Sequence, residues 1–266
     1  MSFTKTPIYL SIVSGLLMAV ASLFGIIDTN TYAKESLNWA AQAIGQDYIN
    51  LFIVFPILLV SSLILLKKES LVACLIWLGG LLYIIYSYIL YSLFVHFGFL
   101  FPVYIATLSF AFYAFIGGII ALSRQDILPR FSSVRVKMIS ILLGVVSSLF
   151  LILWLADIFG ALIKGTLPND LDKIGLMINP VHVLDVAFLL PGAFITSLMI
   201  WRKKTLGFIF AVPLTIFFAL MGMAIISMMI ILSKNGFVLA VPQMIAMGVI
   251  VIVSLITVVR FSKDIS

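Results

Sequence analysis

Long apolar runs, separated by short polar or charged segments, make up most of the chain. About 20 apolar residues in a helix cross the hydrocarbon core of a bilayer, so runs of this length predict membrane-spanning helices. Eight such runs occur, and Asp157 and Asp185 are the formal charges inside them. The runs cover residues 7–27, 48–66, 71–95, 99–122, 138–163, 181–201, 206–232 and 237–259. The pattern therefore predicts an all-α integral membrane protein with eight transmembrane helices.

Composition supports the same fold class. Of 266 residues, 64% are hydrophobic and 10% are charged, whereas soluble domains carry roughly 45–50% apolar and about 25% charged residues. One fold of this length could not hide that excess from water. The composition excludes a soluble enzyme and a nucleic-acid-binding protein. The single cysteine, Cys74, excludes an internal disulfide and any multi-cysteine metal site.

The positions of lysine and arginine predict the orientation in the membrane. Cytoplasmic loops retain these residues during insertion. With the N-terminus inside, 12 of the 16 fall in cytoplasmic segments, and Lys34, Lys164, Lys173 and Lys234 fall outside. We therefore expect a multi-pass plasma-membrane protein with both termini in the cytoplasm.

Two ungapped matches between the halves of the chain indicate an internal duplication. Residues 11–15 match residues 140–144 at an offset of 129, and residues 56–71 match residues 191–206 at an offset of 135. Four spans per half keep both copies in the same orientation. We predict two parallel four-helix repeats, residues 1–137 with the cytoplasmic loop 123–137, and residues 138–266. Small residues spaced along the first and fifth spans predict that these two spans form the central contact.

The long loop after the first span carries its own helical pattern. Helical spacing over residues 31–46 places Leu37 and Ile44 on one side and Asn38 and Gln42 on the other, with Trp39 at interface depth. This pattern predicts a helix that lies on the membrane surface, either as a structural lid or as a gate over a cavity.

Polar residues at the outer ends of the spans are the candidates for chemistry. Asp185 follows His182 by three residues, so both lie on one helical face, and the 135-residue offset aligns Asn50 with Asp185. Two interpretations are open: a cation or proton site in which His182 tunes Asp185, or a hydrogen-bonding rim for a polar solute. Helix capping is the alternative, and Asp157 is either an intramembrane acid or a cap. The predicted pocket comprises Asp157, Asp185, His182, Asn179, Trp154, Gln46, Asp47, Asn50, Tyr83 and Tyr86.

Other candidate chemistry receives less support. Tyr83, Tyr86, Tyr88 and Tyr91 point around most of the third span, so we expect some of them to face lipid and one or two to line the interior. A metal site would need the pocket acids and histidine to converge with His96. Two histidines are few for haem ligation, and the methionines fit helix packing better than copper binding. We expect no cofactor, no metal and no catalytic residue.

Several segments resemble those of a widespread group of bacterial polytopic membrane proteins with about eight spans. The resemblance covers most of the chain and implies no activity, substrate or catalytic residue. The residues that prompt it are Gly45-Gln46-Asp47, the tyrosine-rich stretch 83–91, Trp154-Leu155-Ala156-Asp157, and Val183-Leu184-Asp185-Val186 followed by Pro191 and Arg202-Lys203-Lys204.

Three functions are compatible with this architecture. The first is a solute or ion transporter, or a permease component, with an outward-facing polar pocket for a small polar or cationic solute. The second is a non-transporting membrane subunit, such as an assembly partner, an immunity factor or a sensor, with another membrane protein as its partner. The third is an intramembrane enzyme acting on lipid or prenyl groups, which would require the acids to cluster around a metal. In each case the lipid bilayer surrounds the chain.

Overall fold

The computed structural model describes residues 5–131, 136–169 and 171–265, and this part of the chain is 84% helix with no strands. In these described ranges, eight helices are long and apolar enough to cross a membrane, which confirms the predicted number. They are α1 (Lys5–Ile27), α2 (Leu37–Lys67), α3 (Leu71–Phe94), α4 (Phe101–Ser123), α5 (Val136–Lys164), α6 (Pro180–Trp201), α7 (Thr205–Lys234) and α8 (Val241–Asp264). A one-turn helix, Leu171–Ile174, lies between α5 and α6, and the short 3₁₀ segment Leu128–Phe131 follows α4.

The predicted surface helix over residues 31–46 is wrong. The outer half of α2 begins at Leu37, where the Ser36 hydroxyl accepts a hydrogen bond from the Trp39 amide at 3.1 Å, and the helix continues without a break into the bilayer-crossing part. Asn38 and Trp39 are buried rather than divided between lipid and water. This segment packs against α7, because Gly45 lets the α7 backbone approach closely.

The contact between the two halves of the chain is formed by α7 with α2 and α3. The predicted central contact between α1 and α5 is therefore wrong, since α1 packs mainly on α4 and α2, and α5 mainly on α6. The small residues in α1 and α5 instead allow close packing on α2 and α6. A Cβ at Gly15 would lie 3.0 Å from Leu58 of α2, and one at Gly144 would lie 2.9 Å from Ser197 of α6.

Both α2 and α6 contain a π-helical segment, Asn50–Val54 in α2 and Asp185–Leu189 in α6. Each is followed after one residue by a proline, Pro56 or Pro191. Proline has no amide hydrogen to donate, and its ring crowds the carbonyl four residues earlier, which here lies inside the π segment. The prolines thus account for a local change of helical pitch at the same register in both spans.

Serine pairs join neighbouring spans at positions separated by the sequence offsets. The hydroxyls of Ser11 and Ser62 lie 3.0 Å apart between α1 and α2, and those of Ser140 and Ser197 lie 3.2 Å apart between α5 and α6. Ser11 also accepts a 2.8 Å hydrogen bond from the indole of Trp77, which is fully buried in α3. These bonds satisfy hydroxyls that could not reach water within a bilayer.

Candidate functional site

The predicted pocket residues occupy the distal end of the bundle, which we define as the end that carries the loops 28–36, 95–100, 165–179 and 235–240. They separate into two groups. The Asp185 cluster consists of Asp157, His182, Asp185, Trp154 and Tyr86, and it joins α3, α5 and α6. The Asp47 cluster consists of Asp47, Tyr32, Tyr91, Ser22 and Asn50, and it joins α1, α2, α3 and the loop 28–36.

In the Asp185 cluster, the central carboxylate is held by two neutral donors. Asp185 is the first residue of the π segment of α6 and is buried. The Tyr86 hydroxyl of α3 donates to Oδ1 at 2.9 Å, and the Trp154 indole of α5 donates to Oδ2 at 2.8 Å. Since α3 lies in the first half of the chain and α5 in the second, this carboxylate links the two halves.

His182 faces Asp157 rather than Asp185. Its Nε2 lies 3.6 Å from Asp157 Oδ2, and its ring packs on Trp154 with a centroid distance of 4.7 Å. Residues three apart on a helix are rotated by about 60°, so His182 and Asp185 can contact different partners. The interpretation in which His182 tunes Asp185 directly is therefore corrected: the two are connected through Trp154.

Asp157 lies at the boundary between the cluster and the surface. Its Oδ1 accepts hydrogen bonds from the amide of Asn169 at 3.2 Å and from Asn169 Nδ2 at 2.6 Å. A surface cavity of about 340 Å³ is lined by Asp157, Asn169 and Lys164 together with apolar residues of α5. Neither His182 nor Asp185 lines this cavity. Asp157 thus ties a loop to α5 and also faces a histidine inside the bundle.

In the Asp47 cluster, the carboxylate is almost completely enclosed, with Asp47 only 1% exposed. The Tyr32 hydroxyl donates to Oδ2 at 2.6 Å. The Tyr91 hydroxyl has two alternative acceptors, Asp47 Oδ1 at 3.0 Å and the Ala43 carbonyl at 3.1 Å. Gly25 of α1 makes room for the group, because a Cβ there would overlap Asp47 Oδ2. The 129-residue offset aligns Gly25 of α1 with Trp154 of α5. Gly25 makes room for Asp47 in the first half, whereas Trp154 donates a hydrogen bond to Asp185 in the second half.

Tyr32 was not among the predicted pocket residues. It lies outside the spans and is buried, and this burial, reinforced by the nearby charge of Asp47, raises the pKa of its hydroxyl well above the ordinary value. A loop tyrosine carries no periodic signal in the sequence. The alignment of Gly25 with Trp154 is the sequence signal for this difference, because glycine cannot donate a side-chain hydrogen bond as Trp154 does in the second half.

The raised pKa of Tyr32 predicts a loss of stability in alkali. Below about pH 10 the tyrosine is protonated in the folded and the unfolded chain, while above this value the unfolded chain alone releases the proton. Stability should therefore fall as the pH rises from about 9 to 11, and Tyr32→Phe should reduce this fall although it lowers stability at neutral pH by about 1–3 kcal/mol. Unfolding in detergent across this range measures both effects. Tyr9→Phe, at a half-exposed position, should follow the wild type, and equal alkaline curves for all three proteins would contradict the prediction.

The remaining predicted residues have local partners. Gln46 donates to the Ser87 hydroxyl at 2.5 Å, and Asn50 accepts from the Tyr83 hydroxyl at 3.0 Å, so both belong to the interior next to Asp47. Asn179 caps α6 by accepting a hydrogen bond from the Val181 amide at 3.0 Å. Asn179 therefore fits the capping alternative rather than the pocket.

All four tyrosines of α3 are buried, which corrects the expectation that some face lipid. Tyr83 and Tyr91 bind groups of α2, Tyr86 binds Asp185 of α6, and the Tyr88 hydroxyl lies 3.4 Å from the Met18 carbonyl of α1. The helix can place hydroxyls in several directions because other spans surround it. Tyrosine position within a span does not by itself distinguish a lipid contact from an interior one.

His96, the remaining histidine, pairs with Glu35 at the distal end. The His96 amide donates to Glu35 Oε1 at 2.7 Å, and Nδ1 lies 3.0 Å from Oε2. Across residues 5–131, 136–169 and 171–265, no group of three or more histidine, cysteine, aspartate or glutamate side chains is arranged to hold a metal ion. In the same ranges, no lysine or arginine pairs with Asp47 or Asp185.

Together, the fold and these clusters define a multi-pass membrane protein with eight spans and two buried carboxylates held by neutral donors. Comparison of the chain with protein-family models, with curated proteins and with solved structures finds no match. The function must therefore be argued from the site itself.

Proposed function

We propose that the protein is a membrane transporter, or the permease component of one, that moves a small cation or a proton by way of the Asp185 cluster. The observation that carries this proposal is the pair of buried carboxylates, Asp47 and Asp185, held by neutral donors and without a lysine or arginine partner among the described residues. Ionisable groups inside membrane spans are costly and commonly mark ion or proton pathways.

The cost of a buried charge supports a positively charged ligand. A carboxylate removed from water without a cation nearby is strongly destabilised, and hydrogen bonds from neutral groups offset only part of this cost. A bound proton or cation removes the net charge. A structural role alone does not account for two such carboxylates, since an asparagine would fill the same space and keep one of the accepted hydrogen bonds without the cost of a charge.

Side chains connect the surface with Asp185. Asp157 lines the cavity at the distal end, His182 lies 3.6 Å from Asp157, and Trp154 contacts both His182 and Asp185. A cation that enters the cavity therefore meets the Asp157 carboxylate first, and His182 and Trp154 lie between that carboxylate and Asp185. π-helical segments, such as the one that starts at Asp185, are frequent at functional sites.

We propose the sidedness and the duplication as parts of the same architecture. The lysine and arginine bias favours cytoplasmic termini, which would make the distal end and its cavity face outward. The equivalent serine pairs and π segments support two parallel repeats, residues 1–137 and 138–266. Asp28 and Asp157, aligned by the 129-residue offset, each accept bonds from the amide and the side chain of an asparagine.

Flux through purified protein in vesicles tests the proposal. The probes are protons, Na⁺ and K⁺, followed by a pH-sensitive dye and by cation uptake under an imposed gradient. Asp185→Asn should reduce the flux to the level of empty vesicles, because the amide has the same size but cannot titrate. Its oxygen can still accept from the Trp154 indole, and its NH₂ group can donate to the Tyr86 oxygen. Asp28→Asn is the matched control, since Asp28 binds Asn30 at the surface, and it should retain flux. Wild-type flux equal to that of empty vesicles would overturn the transport proposal. Full flux through Asp185→Asn would show that transport does not depend on Asp185.

The closed interior favours one alternative, a non-transporting membrane subunit. The surface cavity ends at Asp157 and does not continue to Asp185. Native copurification followed by mass spectrometry distinguishes the two functions, because a stoichiometric membrane-protein partner supports the subunit. We do not propose the intramembrane enzyme, since the described acids and histidines do not gather as a set of metal ligands.

A further inference from the structure

Within residues 5–131, 136–169 and 171–265, two buried polar atoms next to Asp47 have no well-formed hydrogen bond. They are the hydroxyl oxygen of Ser22 in α1 and Nδ2 of Asn50 in α2, and both residues are 0% exposed. Both side chains lie close enough to the Asp47 carboxyl group to interact with it, although neither makes a hydrogen bond of ordinary length and angle to it. Buried polar groups are almost always paired, so an unpaired donor and an unpaired hydroxyl beside one carboxyl group indicate that the site serves more than one bonding state.

From this arrangement we propose that the Asp47 cluster is a reversible proton-binding site, separate from the Asp185 cluster. When Asp47 is charged, it accepts hydrogen bonds, and the hydroxyls of Tyr32, Tyr91 and Ser22 and the amide of Asn50 are all able to donate to it. When Asp47 is protonated, its new O–H group needs an acceptor, and the Ser22 oxygen is an acceptor without a partner. Rotation of hydroxyl groups therefore satisfies both states without repacking of the helices.

The chemistry of the surrounding groups favours a proton over a metal cation. Each carboxylate oxygen of Asp47 has a tyrosine hydroxyl within hydrogen-bonding distance, at 2.6 and 3.0 Å. The Asn50 amide beside it is a donor, which repels a cation. Na⁺ needs several oxygen ligands around a space of its own, whereas a proton needs a single lone pair. Gly25 leaves room for the carboxyl group and no more, because any side chain there would overlap it.

The groups around Asp47 define what else can respond to pH. Tyr83, Tyr88 and Tyr91 face it from α3, Tyr104 from α4 and Tyr32 from the loop 28–36. The part of α7 closest to Gly45 of α2 consists of Ser227 and Met228, which do not titrate, and Lys234 ends that helix. Tyr32 is the residue of the distal loop 28–36 that binds Asp47 directly. Exchange of the proton with water thus runs past the Tyr32 hydroxyl.

The 135-residue offset relates this site to the Asp185 cluster. It aligns Asp47 with His182 and Asn50 with Asp185. Each half thus has two polar residues about one helical turn apart. In α2 they are Asp47 and then Asn50, and at the matching positions of α6 they are His182 and then Asp185. The proton site deepens the proposed function by naming the proton as an ion that the bundle binds, but it does not require that the protein transports anything.

Infrared spectroscopy of the purified protein in nanodiscs tests the proposal. A protonated carboxyl group has a C=O stretching band that moves in D₂O, and its intensity is followed between about pH 4 and 9, where perturbed carboxyl groups titrate. The wild type should show a titrating band that Asp47→Asn removes. Asp185→Asn is the matched control and should keep that band. Ser22→Ala should keep the band but shift its frequency, since the acceptor of the O–H group is lost.

Each result decides the proposal. An Asp47→Asn spectrum that equals the wild type across the pH range overturns it, and so does a band that disappears on addition of Na⁺ at constant pH, which would show a cation site. If Asp47→Asn does not fold, the frequency shift in Ser22→Ala decides, and an unchanged band there overturns the proposal. An Asp47 band without any vesicle flux would support the proton site and reject transport. Vesicle flux without the Asp47 band would support transport and reject the proton site.

Discussion

Gly45→Val should prevent the two halves of the bundle from packing together. A Cβ at Gly45 would lie 2.5 Å from Cα and 2.7 Å from the amide nitrogen of Met228 in α7. These are backbone atoms, so the contact is relieved only when α2 and α7 move apart as whole helices. Overpacking of a tight core costs about 1–3 kcal/mol when side chains can adjust, and more when they cannot. We expect a loss of about 3 kcal/mol or more, measured by unfolding in detergent and by the monodisperse fraction in size-exclusion chromatography.

Gly160→Val provides the control for this substitution. Gly160 is also a helical glycine, in α5, and a Cβ there would meet no atom within 4 Å. Both variants change the helix propensity and the hydrophobicity in the same way, so the difference between them reports the contact with α7. Equal stability of the two variants would mean that the backbones of α2 and α7 do not approach as described.

A cysteine at the distal end should react with a membrane-impermeant thiol reagent on intact cells, and a cysteine at the opposite end should not. Thr29→Cys and Lys68→Cys place exposed thiols at the two ends in a Cys74→Ser background. The expected all-or-none difference follows from the lysine and arginine bias, because loops rich in these residues stay in the cytoplasm. Labelling is measured before and after lysis of the cells.

Cell lysis is also the internal control of the labelling experiment. Lys68→Cys should become reactive once the membrane is opened, which shows that its thiol is accessible and was merely shielded. The wild-type thiol of Cys74 is fully buried in α3, so its replacement should not affect insertion. Labelling of Lys68→Cys on intact cells, with Thr29→Cys protected, would reverse the orientation and place the Asp157 cavity on the cytoplasmic side.

The span pattern was readable from the sequence because lipid contact requires long apolar runs. The outer half of α2 was missed for the same reason, since Asn38, Gln42 and Asp47 interrupt the apolar pattern there. Inside the bundle these side chains are satisfied by one another and by tyrosines, as in the 2.6 Å bond from Gln42 to Asn38. A hydropathy pattern reflects the free-energy cost of placing a polar side chain in the bilayer. It does not show the hydrogen-bond partner that offsets this cost inside the bundle.

The single predicted pocket is two separate clusters in the structure, and one part of its membership was expected. Trp154, His182, Asp185 and Tyr86 were expected together and lie together, since polar residues at one end of neighbouring spans have few other places to go. Which donor binds which oxygen depends on the rotation of each helix, and the π segments change this rotation. Tyr32 was not foreseen because a loop residue has no helical face from which to infer its direction.

The two π segments also restrict how the chain can vary in length. A π turn holds one residue more than an α turn, and an α-helix rotates by about 100° per residue. Loss of one residue from Asn50–Val54 would leave a span still long and apolar enough to cross the bilayer, but it would turn the outer half of α2 so that Asp47 pointed away from Gly25 and Tyr91. A single deletion among these five positions would therefore separate the membrane crossing from the chemistry at its distal end.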